Sequence, residues 1–323
     1  MKLTNPKQAN HGLKMLILVI TLICVMSVAS ACATTSSIST IANSTNKIKV
    51  TATIGMITDV VKQVGGDHVE VTGLMKPGVD PHLYKASQGD IQKLDKADVI
   101  FYSGLHLEGK MADILEKMGE KKTSVAVSDH IDRAKLRSGA EMSTEYDPHI
   151  WFDVRHWMKA TESIRDTLAK QDPAHAQDYQ KNAAAYLLQL EALHKEVVEK
   201  MSSIPQQSRV LVTAHDAFGY FGDAYGVKVM GLQGMSTASE AGTKDVTDLR
   251  DFLVNNKIKA VFIESSVPRK AIDAVIQGAK EKGHDLKIGG ELFSDAMGED
   301  GTPEGTYIGM VRHNVDTIVK ALQ

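Results

Sequence analysis

Cysteine is nearly absent. Cys24 and Cys32 are the only two in 323 residues, which excludes a disulfide framework and any Cys-rich zinc module. Aromatic residues make up 5% of the chain, and none forms the aromatic–basic stripe on which single-stranded nucleic acid stacks. A basic excess is lacking too. The 37 Lys and Arg against 40 Asp and Glu give a formal charge of −3, the wrong sign for a partner made of phosphate backbone. Nucleic acid is therefore excluded as a partner. His-Glu-x-x-His, Gly-x-Ser-x-Gly, the phosphate-binding Gly-x-x-x-x-Gly-Lys-[Ser/Thr] and the dinucleotide Gly-x-Gly-x-x-Gly are all missing, so no enzyme signature stands out. What is present is a 43% apolar composition. That is enough for real cores, and at roughly 150 residues per domain it suggests about two of them.

The first 31 residues read as a signal peptide. Lys2, Lys7 and Lys14 precede an apolar run at 16–28. Its 13 residues suit a signal core and fall short of the roughly 20 a bilayer-spanning helix needs. Ala29-Ser30-Ala31-Cys32 comes next and resembles a bacterial lipobox, in which the Cys becomes the lipid-bearing first mature residue. Removing 1–31 moves the charge from −3 to −6 and leaves Cys32 as the only cysteine, which fits an anchor better than a staple. Residues 32–46 are small and polar and read as a lipidated Cys with a tether.

From Lys47 onward, β-branched runs alternate with helical periodicity, the pattern of parallel sheets flanked by helices. Strands are expected at 48–54, 69–72, 99–102 and 124–127, with helices between them. From 154 to 201 strand signal fades. Asp172 and Pro173 suit a helix start, and no Gly or Pro occurs again until beyond 202. Tyr179, Ala183, Tyr186, Leu190, Leu193 and Val197 mark one face of a helix about 43 Å long. Strands at 209–213, 228–230, 260–263 and 286–288 then resume the α/β rhythm, with helices at 245–256, 270–282 and 304–322. The expected fold class is α/β: two similar lobes, 47–171 and 205–323, joined by one long linking helix within 172–204.

Among twelve histidines, two stand in the same tripeptide, Asp80-Pro81-His82 and Asp147-Pro148-His149. Pro fixes the chain just ahead of each His. The Asp can bond a nearby backbone amide or orient the imidazole. His215 directly follows an expected strand, where ligands of open parallel sheets gather. Asp295 lies shortly after the last strand, with Asp216, Glu240 and Glu264 as rival acids and Glu264 the foremost of them. His175 and His194 are expected on the solvated side of the long helix. His68, His106, His130, His156, His284 and His313 lack a matching partner. Three imidazoles and one carboxylate suit Mn²⁺, Zn²⁺ or Fe²⁺ and fall short of the oxygen count Ca²⁺ takes.

Five segments, in order along 47–323, carry a family resemblance: Lys76-Pro-Gly-Val-Asp-Pro-His-Leu-Tyr84, Tyr102-Ser-Gly-Leu-His-Leu-Glu-Gly-Lys110, Asp147-Pro-His-Ile-Trp151, Val212-Thr-Ala-His-Asp-Ala-Phe218 and Phe293-Ser-Asp-Ala-Met297. They resemble the metal-binding lipoproteins of ABC transporters, nearest the manganese-binding branch. The resemblance implies two α/β lobes around a metal cleft, with ligands at His82, His149, His215 and Asp295. It also implies an extracytoplasmic protein held to the cell membrane by lipid on Cys32, serving a transmembrane permease and a cytoplasmic ATPase. Glu is common at the third ligand position in manganese members, and His in zinc members. Here it is His215. The long His- and acid-rich loop of many zinc importers is missing between 83 and 148. Manganese is the expected ion, zinc the second and iron the third. A zinc-specific carrier of the same family, or a surface adhesin with a structural metal, are the alternatives. A monomer is expected, since no exposed heptad seam is evident.

Overall fold

In the computed structural model, residues 47–139 and 146–323 are described; the expected signal peptide, Cys32 and the tether lie outside the described residues. β1 (Ile48–Ala52) buries four of its five side chains, as befits a strand covered on both faces. The helix α1 (Gly55–Gly65) returns the chain to β2 (Val69–Gly73), which pairs parallel with β1. A long connection carrying His82 then leads to α2 (Gln88–Lys96). Ser87 caps it in a reciprocal box with Asp90. β3 (Val99–Tyr102), α3 (Ala112–Gly119) and β4 (Thr123–Ala126) complete a four-stranded parallel sheet of order β2-β1-β3-β4. The order reverses between β1 and β3, which opens a crevice at the carboxyl ends of the strands.

The strand-poor stretch forms two helices, α4 (Val154–Gln171) and α5 (Ala176–Ser202). Asp153 caps α4 by accepting from the Arg155 amide. The long helix differs from expectation at its start. Pro173–His175 forms a single 3₁₀ turn, and α5 begins only at Ala176. The Asp172 carboxylate makes no cap bond. It instead holds His175 Nδ1 at 2.6 Å and accepts from the Tyr179 hydroxyl at 2.9 Å. At 27 residues α5 is about 40 Å long. The stripe Tyr179, Ala183, Tyr186, Leu190, Leu193 and Val197 is buried as the periodicity required, and Met201 extends it.

The second half is built from two parallel pairs. β5 (Val210–His215) pairs with β6 (Lys228–Gln233) across α6 (Gly219–Tyr225). After α7 (Thr243–Asn255), β7 (Ala260–Glu264) pairs with β8 (Lys287–Leu292) across α8 (Lys270–Glu281). β5 lies alongside β7, although the two ladders form separate sheets. The final helix α9 (Tyr307–Leu322) starts three residues later than its periodicity suggested. Pro303–Gly305 makes its own 3₁₀ turn, and the Thr306 hydroxyl caps the helix by accepting from the Gly309 amide.

α9 packs back on α5 and α1. Its first residue, Tyr307, stacks on Trp157 with ring centroids 5.2 Å apart, and its amide donates to Asp59 Oδ2 at 2.9 Å. One apolar cluster consequently runs from the first sheet through α4 and α5 into α6 and α9. A smaller cluster fills the space around β5, β7, α7 and α8. Among the described residues no helix is long and apolar enough to cross a membrane.

The buried stripe of α5 makes a direct test. Leu190→Ala removes a side chain with no exposure and is expected to cost about 2–5 kcal/mol in denaturant unfolding. Leu188, 74% exposed on the same helix, should change stability by less than about 0.5 kcal/mol when replaced by Ala.

Candidate metal centre

Four side chains, one from the end of β5 and three from loops, meet at one point. His82 lies in the connection after β2, and His149 immediately precedes the 3₁₀ turn Ile150–Phe152 that leads into α4. His215 is the last residue of β5, and Asp295 lies three residues beyond β8. One ligand-type atom from each lies within 4.8 Å of all the others. His82 is 6% exposed, Asp295 1%, and His149 and His215 not at all.

Backbone and carboxylate contacts aim each group. Both Asp-Pro-His tripeptides form the same turn: Asp80 Oδ1 accepts His82 N–H at 2.9 Å, and Asp147 Oδ1 accepts His149 N–H at 3.0 Å. Asp147 Oδ1 also takes the His149 Nδ1 proton at 2.7 Å. Glu264, the foremost rival ligand, stands behind the site. It accepts the His215 amide at 2.9 Å and holds His215 Nδ1 at 2.6 Å. With Nδ1 held by a carboxylate, Nε2 of both rings faces inward. Gly231 on β6 lets this happen, since a Cβ there would sit 2.3 Å from the Asp216 amide nitrogen just past His215.

The sequence did not reveal the groups that hold the Asp295 loop. Asn314 on α9 accepts from Phe293 N–H at 2.9 Å and donates to Phe293 O at 2.7 Å. Trp151 Nε1 donates to Ser294 O at 3.0 Å, and Tyr307 Oη donates to Trp151 O at 2.7 Å. The only local signal is that Trp151 lies two positions after His149.

The inner geometry is tight. His82 Nε2 is 3.3 Å from His149 Nε2 and 3.5 Å from Asp295 Oδ2. His149 Nε2 is 3.5 Å from Asp295 Oδ1, and His215 Nε2 is 3.3 Å from Asp295 Oδ2. Among the described residues, His215 Nε2 and both Asp295 oxygens are buried without a hydrogen-bond partner. Bonds of about 2.1 Å to a tetrahedral ion require donors about 3.4 Å apart, and these separations match. The residues therefore fit a divalent ion held by three imidazole nitrogens and one or both carboxylate oxygens.

Electrostatics separate the two outer imidazoles. Burial, with the neighbouring His149 and His215, outweighs the attraction of Asp295 and pushes His82 down to about 4. For His215 burial also lowers the value, but Glu264 and Asp295 override it and lift His215 well above the usual range. Burial raises Asp295, yet His215, His149 and His82 together hold it far below the ordinary carboxylate value.

Other histidines stand apart from this cluster. His68 pairs with Asp178 at 2.9 Å and stacks on His175. His175 belongs to the turn before α5 and is half-buried. His194 is also half-buried, with Nδ1 3.3 Å from the Tyr225 hydroxyl. The expectation that both were solvated fails, because each spends its ring on a polar neighbour. Among the rival acids, Asp216 is half-buried and Glu240 exposed, and neither joins the cluster.

The family described as zinc-uptake complex component A, periplasmic (ZnuA), matches residues 50–321. The chain is 56% identical to the manganese-binding lipoprotein MntA of Bacillus subtilis over 277 residues, 86% of this chain and 90% of that one. It is 50% identical to the zinc-binding protein TroA of Treponema pallidum over 273 residues, 84% of this chain and 88% of that one. The solved structure of periplasmic zinc-binding TroA from Treponema pallidum matches with a TM-score of 0.83 at 49% identity. That match covers 85% of this chain and 99% of the other.

The two outer imidazoles should titrate apart in the metal-free protein. Imidazole NMR signals are expected to show His82 neutral down to a pH near 4, while His215 loses its proton only well above the ordinary imidazole range. A common midpoint for both near the ordinary value of about 6.5 contradicts the electrostatic assignment.

Proposed function

This chain belongs to the zinc-uptake component A family, the metal-binding solute-binding components of ABC transporters, and from that premise we propose that His82, His149, His215 and Asp295 hold one Mn²⁺ or Zn²⁺ ion as cargo for import. One observation carries the reading: four inward-facing donors within 4.8 Å of one another, with both Asp295 oxygens buried and, among the described residues, unpartnered. Four protein donors fill a tetrahedral shell. A catalytic ion needs an open place for water, so the arrangement favours carriage over catalysis.

Manganese is the cargo we favour. Both Asp295 oxygens face the imidazoles, so the site can offer a fifth donor to an ion that tolerates higher coordination. The stretch 83–148 has only His106 and His130 among its histidines. The manganese-binding relative shares more of its sequence with this chain than the zinc-binding one does. His215 in place of a carboxylate, and the zinc-binding relative, make zinc the second reading. The lobes are proposed as 47–171 and 205–323 with 172–204 between them. Lipid on Cys32 is proposed to hold the protein at the outer face of the cell membrane. The support is the lipobox-like Ala29-Ser30-Ala31-Cys32 and the naming of MntA as a lipoprotein. From there the ion would pass to a permease driven by an ATPase.

Stripped protein titrated separately with Mn²⁺ and Zn²⁺ tests the carrier reading. An ion at 100 times its dissociation constant adds about 2.7 kcal/mol of stability, so each should raise the melting temperature. Zn²⁺ should do so at lower concentration, because N/O sites bind zinc more tightly than manganese. His215→Ala should lose the rise. A melting temperature unmoved by either ion in the unaltered protein refutes the reading.

The pH dependence has a definite sign. Glu264 and Asp295 lift His215 well above the usual imidazole range in the metal-free state, so an ion competes with a proton for Nε2. Affinity should fall as pH falls, by about tenfold per unit for each proton displaced. Calorimetry in buffers of different ionisation heat should register that proton. Equal affinity at pH 8 and pH 5 counts against the His-rich shell.

A further inference from the structure

The three imidazoles are not equally supported. His149 and His215 each have Nδ1 fixed by a buried carboxylate, Asp147 and Glu264. His82 has no such bond to its ring among the described residues. Its anchor is the backbone, through His82 N–H to Asp80 Oδ1. It is also the most exposed of the four, at 6%. His82 is thus the ligand held through one intermediary, and what holds Asp80 holds His82.

Asp80 is held from the other half of the chain. Its second oxygen, Oδ2, accepts from Thr237 Oγ1 at 2.5 Å, across 157 positions of sequence. Thr237 lies in the segment joining β6 to α7. It is only 6% exposed, although Ala238, Ser239 and Glu240 directly after it are exposed. Asp80 is half-buried, and a hydroxyl donating to a carboxylate belongs to the strong, charge-assisted class of hydrogen bond. The second tripeptide shares the plan less directly. Asp147 Oδ2 lies 3.4 Å from Arg137 Nε, and Arg137 Nη1 reaches Asp223 on α6. Each tripeptide therefore uses one carboxylate oxygen to set its His and turns the other toward the second half of the chain. At Asp80 a single side chain takes the carboxylate oxygen itself, whereas at Asp147 the direct link, from the Tyr220 hydroxyl on α6 at 2.9 Å, goes to the backbone carbonyl.

We propose that Thr237 is a positioning residue for ion retention, its hydroxyl holding Asp80 so that His82 stays on the ion, and that breaking this bond is a step toward release. The inference rests on the carrier reading. Closure of the two halves and capture of the ion are then coupled through one hydroxyl. A partner that lifts the 234–242 segment would loosen His82 first, leaving His149, His215 and Asp295 in place.

The test uses the full-length protein loaded with Zn²⁺ and chased with an excess of chromogenic chelator. Thr237→Val keeps the shape and removes the hydroxyl, and should speed release by about tenfold or more with little change in the rate of uptake. Thr237→Ser keeps the hydroxyl and should release at close to the unaltered rate. Release from Thr237→Val at the unaltered rate overturns the proposal. So does a Ser variant as fast as the Val variant, since that would assign the effect to the lost methyl. An unaltered protein that takes up no ion defeats the carrier reading, and the latch with it.

Discussion

Asp295 is a carboxylate with almost no exposed surface and, among the described residues, no hydrogen bond to either oxygen. Burying a charge in that condition is costly unless an opposite charge is brought to it. The three imidazoles supply only part of the answer. In the metal-free protein Asp295 and Glu264 favour a proton on His215, and together they lift it well above the usual imidazole range. A divalent ion answers the same need more completely. It places charge between both Asp295 oxygens and three nitrogens at distances the protein has already set. On the proposed reading the site works by exchange, an ion taking the place of a proton. Its strength depends on how rigidly the surrounding carboxylates hold the rings.

That rigidity is supplied from far away in the chain. Asp295 sits on a loop clamped by Asn314 of α9 and by Trp151, while Trp151 is itself bonded to Tyr307. Tyr307 in turn stacks on Trp157 of α4 and donates its amide to Asp59 of α1. The last helix thus ties the fourth ligand to the first half of the protein. The long helix α5 lies against α1, α4 and α9 together. With the same helices anchoring ligands from both halves, large hinge motions would break several buried contacts at once. Small movements of loops, such as the one bearing Thr237, break very few.

Much of this was legible in the sequence, for identifiable reasons. Strands of β-branched residues separated by helical periodicity announce parallel α/β structure, and β3 agrees with expectation to the residue. The buried stripe of α5 comes from three- and four-residue spacing alone. The repeated Asp-Pro-His marks two of the four converging groups because Pro and Asp together make a turn that aims the residue after them. Short elements rich in glycine were not legible. α6 holds Gly219 and Gly222 in seven residues, which propensity alone would reject. Gly222 is there because a Cβ would meet the Val227 carbonyl at 2.7 Å. The Glu264, Asn314 and Thr237 contacts escaped for another reason. They join residues 21 to 157 positions apart, and nothing local distinguishes an acid that ligates from one that orients a ligand.

The distinction between ligating and orienting acids also bears on selectivity. A site of imidazole and carboxylate cannot prefer manganese over zinc by intrinsic affinity, because the order of binding strengths runs the other way. Discrimination must then come from geometry or from the release step. Here the inward-facing donors are pinned except at His82, whose ring, among the described residues, has no carboxylate behind it. An ion satisfied by His149, His215 and two oxygens of Asp295 needs His82 less than a strictly tetrahedral ion does. Zinc, held with His82 as its fourth donor, would lose more when that residue moves, while manganese could keep its oxygen-rich remainder. The adjustable ligand thus lies where the two ions differ most. A carrier that binds both can differ between them in how it lets go.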